Sequence, residues 1–167
     1  MTWRVVYMGT AEIACPPLQS LAVMPQIELA AVYTQPDRPK GRGQSVQFSP
    51  VKKLALEMGE AVLQPESLKS SLAFKELASL KPDVLVVMAY GQILSQQVLD
   101  LPPHGAVNLH ASLLPRHRGA SPIQQAILAG DTETGVTLMQ MEAGLDTGPM
   151  IAKASIPIGR EDTAATV

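Results

Sequence analysis

The sequence predicts an α/β fold in which a mostly parallel sheet is flanked by helices, and three observations carry that reading. Short apolar strands alternate along the chain with stretches of helical spacing. Val84-Leu85-Val86-Val87-Met88 is an unbroken apolar run, the mark of a strand covered on both faces in a parallel sheet. Proline stands where helices are expected to open, at Pro16-Pro17, Pro50 and Pro122, because a first turn needs no N–H from it.

The elements follow in order. Trp3 to Met8 reads as a strand ending at Gly9-Thr10, and Pro16-Pro17 open a short helix through Leu18 to Leu21. Ile27 to Tyr33 is a second strand. Residues 34 to 48 are rich in proline and glycine, which argue against regular structure, so a long exposed loop is expected. Ser49-Pro50 supplies an N-cap and a first-turn proline for a helix running to Met58 and closing at Gly59. Ser67 to Leu80 is a further helix, with apolar Leu68, Leu72, Leu77 and Leu80. A short helix around Leu94 to Leu99 leads to the strand Ala106-Val107, which continues into Asn108 and His110. Ser121-Pro122 repeats the cap-and-proline start for a helix ending near Gly130. Val136 to Met141 and Met150 to Ile158 read as two more strands. At Thr163 to Val167 a helix is beginning, so the sequence reads as ending before the last helix of the domain.

Composition bounds the function classes. The chain has 167 residues, 46% of them hydrophobic and 17% charged, enough for one domain with a real core. A net charge of −2 gives no global attraction to nucleic acid, so any basic contact is local. Cys15 is the only cysteine, which rules out an intrachain disulfide and suits a reducing compartment. The N-terminus lacks the apolar core of a signal peptide, and no apolar run approaches the ~20 residues of a membrane span. The expectation is a cytoplasmic protein.

Two cofactor motifs are missing. Gly9-Thr10-Ala11-Glu12 follows the first strand where a dinucleotide-binding fold carries G-x-G-x-x-G, and no G-x-x-x-x-G-K-[ST] loop occurs. The fold is therefore expected to be Rossmann-like without NAD or ATP. His104, His110 and His117 lack zinc-ligand spacing, so no metal is expected. A serine hydrolase would need G-x-S-x-G, which is also absent.

The chemistry concentrates late in the chain. Asn108 and His110 are two apart on a strand, so amide and imidazole project into one space. Leu145-Asp146-Thr147-Gly148 brings a carboxylate after about one more strand and helix. An amide donor, a titratable ring and a carboxylate are the parts needed to pass an acyl group between nitrogens.

Asn108-x-His110-x-Ser112-Leu113-Leu114-Pro115 with Leu145-Asp146-Thr147-Gly148 resembles the folate-dependent formyltransferases. Within them the closer likeness is to the methionyl-tRNA formyltransferases. It is carried by Met8-Gly9-Thr10, Thr34 to Pro39, Gly41-Arg42-Gly43, Ser49 to Lys52, Leu63 to Glu66, Arg118 to Ala120 and Glu133 to Thr137. The resemblance implies a formyltransferase fold, 10-formyltetrahydrofolate as donor and the α-amino group of initiator methionyl-tRNA as acceptor. It implies a catalytic set of Asn108, His110 and Asp146. Asn108 would stabilise the oxyanion, His110 donate a hydrogen bond or proton, and Asp146 hold the imidazolium form and help remove the amine proton. Ser112, Leu113, Leu114 and Pro115 would form the folate-binding turn. Gln92, Ile93 and Leu94 would form a wall of the pterin pocket, and the loop Glu142 to Asp146, with Gly144, would meet the pterin edge. The chain departs from the family's usual residues at Ala11, Ile13, His117 and Ser121, none of them a catalytic group.

The loop with Arg38, Lys40 and Arg42, followed by Lys52 and Lys53, has five basic residues against Asp37. By itself such a run is an ordinary solvated face. Under the resemblance it is the arm that enters the tRNA acceptor stem, with Arg42 foremost, meeting phosphates more than bases. The resemblance further implies a monomer, with residues 1–167 as the N-terminal catalytic domain. A β-barrel tRNA-binding domain is then expected to follow in the complete protein. Two alternatives stand beside this: an enzyme formylating a small amine such as a sugar nucleotide or glycinamide ribonucleotide, and a folate-binding fragment without activity.

Overall fold

In the computed structural model, which describes residues 2–40 and 45–167, the first strand, β1 (Trp3–Gly9), is buried from Val5 to Gly9. It lies between two parallel neighbours, β2 (Ile27–Tyr33) and β6 (Val84–Met88). A two-residue strand, β5 (Val62–Leu63), extends the far side of β2, also in parallel. The order β5-β2-β1-β6 forms the sheet of the first of two compact units, Met1–Ala106. Its core is the middle of these strands, with Val6, Tyr7, Met8, Val32, Tyr33 and Leu85 fully buried.

Helices α1 (Cys15–Ala22), α2 (Pro50–Glu57), α3 (Ser71–Ser79) and α4 (Gln96–Leu99) supply Leu18, Val51, Leu77 and Val98 to this core. The sequence reading holds at α1 and α2, each of which has proline in its first turn. Ser49 caps α2 as expected, its hydroxyl accepting from the Lys52 N–H at 3.0 Å. The helix expected from Ser67 begins only at Ser71, because Ser70 takes the capping role and accepts from Ala73 N at 3.2 Å. Leu72, counted as apolar-face, is 78% exposed.

The expected irregular loop at residues 34–48 is corrected by the structure. It contains a short antiparallel ribbon, β3 (Arg38–Lys40) with β4 (Ser45–Gln47), in which Pro39 is opposite Val46. A two-stranded ribbon leaves each strand one free edge, so proline's missing N–H need not break the pairing. The base of the ribbon is pinned: Lys52 pairs with Asp37, and Gln64 Nε2 donates to Asp37 Oδ1 and to the Gln35 carbonyl, both at 2.9 Å.

The second unit, Val107–Val167, is antiparallel. Strand β7 (Ala106–His110) pairs with β8 (Glu133–Gln140), which pairs with β9 (Met150–Pro157). Helix α5 (Pro122–Leu128) packs on β8. Both late strands were expected, although Ser121 does not cap α5. It sits in the left-handed region at φ 59° and accepts no capping bond. Past β9 the chain makes a turn in which Val167 N bonds to Thr163 O at 3.2 Å, a single helical bond. Among the described residues no helix is long and apolar enough to cross a membrane.

Candidate active site

Strand β7 turns Asn108 and His110 to the same side, as the two-residue period of a strand requires. Opposite them on β8 stand Met139 and Thr137, paired to Asn108 and His110 respectively, and both are buried. The Asn108 amide is half-buried and makes no hydrogen bond to the described residues, which leaves its N–H groups available to a reacting oxygen. His110 is only 7% exposed, and both ring nitrogens face acceptors. Nε2 donates to the His117 carbonyl at 3.0 Å, and Nδ1 lies 3.6 Å from Asp146 Oδ1. The second distance is that of an ion pair and is too long for a hydrogen bond.

Asp146 reaches this position from the loop between β8 and β9. The loop's neck is closed by Gln140 N donating to Pro149 O at 2.9 Å. Gly148 lies at that neck, where a Cβ would run into the Gln140 carbonyl. Asp146 adopts a left-handed backbone, φ 50°, which aspartate tolerates better than most residues. Its Oδ2 accepts from the Gly119 N–H at 2.7 Å, so one carboxylate oxygen is anchored while the other faces His110. The loop supplying that N–H is left-handed at alternate positions, His117, Gly119 and Ser121.

Between these groups runs the turn 112–117, fixed largely through backbone atoms. Thr137, fully buried, donates to the Ser112 carbonyl at 2.7 Å and accepts from Leu114 N at 3.0 Å. Ser112 Oγ donates to the Arg116 carbonyl at 2.7 Å, and Lys153 reaches the Leu114 carbonyl. The Leu114–Pro115 peptide is cis. Ser112 and Leu114 are buried, Leu113 is half-buried and Pro115 is exposed. At the end of the turn Asp131 accepts from His117 Nε2 and from Arg116, each at 2.6 Å. The His117 hydrogen bond, reinforced by the Arg116 charge, holds the Asp131 carboxyl below its usual range.

A family model, Formyl transferase, matches residues 4–167. The chain belongs to the formyl transferase family. A methionyl-tRNA formyltransferase of Ectopseudomonas mendocina is 60% identical over 164 residues, covering 98% of this chain and 52% of that protein. Another, from Pseudomonas fluorescens, is 58% identical over 164 residues, with 98% and 51% covered. The chain thus spans about half the length of these curated relatives. Among solved structures, a glycinamide ribonucleotide transformylase from Symbiobacterium toebii aligns at TM-score 0.78 and 21% identity, covering 99% of this chain and 78% of that one. A formyltetrahydrofolate deformylase from Pseudomonas syringae aligns at TM-score 0.75 and 24% identity, covering 99% and 55%. These two likenesses establish the fold, the Rossmann-like α/β architecture that the sequence predicted.

The remaining residues named from the sequence lie as follows. In the first unit the Gln92 side chain is engaged internally: Nε2 donates to the Pro65 carbonyl at 2.9 Å and Oε1 accepts from Leu68 N at 3.3 Å. Ile93 is 84% exposed and Leu94 is buried. In the second unit Gly144 is exposed in the loop that carries Asp146. Arg38 is exposed on β3, Lys40 ends that strand, and Arg42 lies outside the described residues. Lys52, grouped with them by sequence, is committed to Asp37, to Gln64 Oε1 at 2.7 Å and to the face of Phe48 at 3.9 Å.

Sequence reasoning named Asn108, His110 and Asp146 as candidates and assigned no part to the residues that hold His110, Asp146 and the 112–117 turn, namely Thr137, Gly119, His117 and Asp131. Two of these four act through their own backbone, Gly119 through its N–H and His117 through its carbonyl, and a backbone group has no residue-type signature. Gly119 and Thr137 lie in the runs Arg118 to Ala120 and Glu133 to Thr137 that carry the family likeness, but those runs do not say which group each residue meets.

Proposed function

We propose that this chain holds the formyl-transfer site of a cytoplasmic, monomeric enzyme. That enzyme moves the formyl group of 10-formyltetrahydrofolate to the α-amino group of methionine on initiator tRNA. The observation that supports this best is the grouping of Asn108, His110 and Asp146 in one unit, in a chain 57–60% identical to methionyl-tRNA formyltransferases. Residues 1–167 are read as its N-terminal catalytic domain, with a tRNA-binding β-barrel following in the complete protein.

In the reaction the neutral amine attacks the formyl carbon, forming a new C–N bond and placing negative charge on the formyl oxygen. The Asn108 amide, with no competing bond among the described residues, donates to that oxygen. The His110 ring is held between the His117 carbonyl at Nε2 and Asp146 at Nδ1, and Asp146 is itself fixed by Gly119. His110 adds a second donor by sharing its Nε2–H between that carbonyl and the formyl oxygen. The amine loses its extra proton toward the Asp146 and His110 pair, directly or through water. Collapse of the intermediate breaks the bond to N10 of the folate, which leaves with a proton. In the second unit Ser112, Leu113, Leu114 and Pro115 are read as the folate-binding turn, with Gly144 as the residue for the pterin edge. In the first unit Ile93 and Leu94 are read as pterin-wall residues braced by Gln92. Arg38, Lys40 and Arg42 form a basic arm for tRNA phosphates.

The test is formyl transfer to charged initiator methionyl-tRNA by a form extended through the second half found in the relatives, beside its Asp146→Asn variant. The expected outcome is transfer by the parent and a loss of at least about a hundredfold in the variant, with folate binding retained. Near-parental turnover by the variant would remove Asp146 from the mechanism. Folate binding without transfer to the tRNA, but with transfer to a small amine, would favour the other acceptor class.

A further inference from the structure

We infer that His117 and Asp131 are positioning residues that set the orientation of the His110 ring. The inference builds on the reading of His110 as catalytic and starts from the acceptor on its Nε2. That acceptor is no side chain but the main-chain carbonyl of His117, at 3.0 Å. The direction of a carbonyl is set by the dihedrals around it, and His117 is left-handed at φ 54°. For a residue with a Cβ that conformation is unfavourable, so something must hold it.

The structure shows what does. The His117 side chain is anchored by Nε2 donating to Asp131 Oδ2 at 2.6 Å, with both side chains largely buried, 15% and 10% exposed. Asp131 is itself fixed from outside by Arg116 at 2.6 Å. The preceding residue is tied too, since Ser112 Oγ donates to the Arg116 carbonyl at 2.7 Å. One residue therefore has both ends engaged, its side chain on Asp131 and its carbonyl on His110. Occupying Nε2 in this way leaves Nδ1 as the nitrogen turned to Asp146. Breaking the Asp131 contact frees the 117–118 peptide to rotate, releases Nε2, and lets the ring swing away from the Asp146 edge.

The experiment reads the ring directly. In the 167-residue chain, nitrogen-15 NMR of the imidazoles is expected to show a His110 Nε2–H protected from exchange with water. His117→Leu removes the donor and is expected to abolish that protection. His117→Gln retains an N–H donor and is expected to restore it. Asp131→Ala leaves the left-handed residue in place, reads the same signal, and decides the matter if His117→Leu does not fold. In an active form, the Leu and Ala variants are expected to lose about tenfold in kcat with little change in KM for the folate donor. An Nε2–H equally protected in folded His117→Leu or Asp131→Ala overturns the inference, as does failure of His117→Gln to restore it. The NMR signal judges the positioning itself, whereas Asp146→Asn judges the reaction, so either can fail without the other.

Discussion

At the scale of single residues, the site depends on side chains that satisfy main-chain groups. Thr137 shows this most clearly. It is fully buried, opposite His110 in the β7–β8 register, and its one hydroxyl serves both Ser112 O and Leu114 N. Thr137→Val preserves shape and removes both bonds, leaving a buried carbonyl and N–H without partners. The expected cost is about 1–3 kcal/mol in urea unfolding. A loss under about 0.5 kcal/mol would show that the turn is held by its other contacts. Asn108 and His110 were legible at this scale because a two-residue spacing on a strand is a local rule. Thr137 was not, since nothing in a strand sequence announces which hydroxyl meets a turn 25 residues away.

At the scale of elements, two helices open on the same dipeptide and do so differently. Ser49-Pro50 opens α2 with Ser49 extended at ψ 153° and its hydroxyl on Lys52 N. Ser121-Pro122 opens α5 with Ser121 left-handed and no capping bond. Ser49→Ala is therefore expected to destabilise the protein by about 1 kcal/mol. Ser121→Gly is expected to be neutral or stabilising by up to about 1 kcal/mol, because glycine relieves the left-handed strain. Paired thermal melts check this, and equal losses would show that the caps do not differ. The dipeptide correctly marked both helix starts. It could not tell which serine caps, because Ser121 follows the left-handed Gly119 and enters the helix from a loop that delivers an N–H to Asp146.

At the scale of the whole molecule, each unit carries a carboxylate held by hydrogen-bonded partners. Asp37 is kept below its usual range by the Lys52 hydrogen bond and by Gln64, and Asp131 by His117 and Arg116. A folded value below the unfolded value, about 3.9, means stability that is present above that pH. It is lost as the pH falls through the lower folded value. Melting temperature is thus expected to drop steeply below about pH 4. In the double variant Asp37→Asn, Asp131→Asn the midpoint is expected to be lower at neutral pH and to fall less on acidification. Parallel curves for parent and variant between about pH 3 and 6 would exclude these two groups as the source.

The sequence by itself determined the α/β class, most strand positions and helix starts, and which residue types the proposed reaction calls on. These follow from hydrophobic period, proline placement and a two-residue spacing, all of them local. Tertiary structure alone decided that Asp146 comes within 3.6 Å of His110, that Lys52 and the Gln92 side chain are engaged internally, and that β3 and β4 pair. It also decided that the carbonyl of His117 holds the His110 ring. Each of these depends on where a distant backbone group points, and no local pattern in a sequence encodes that direction.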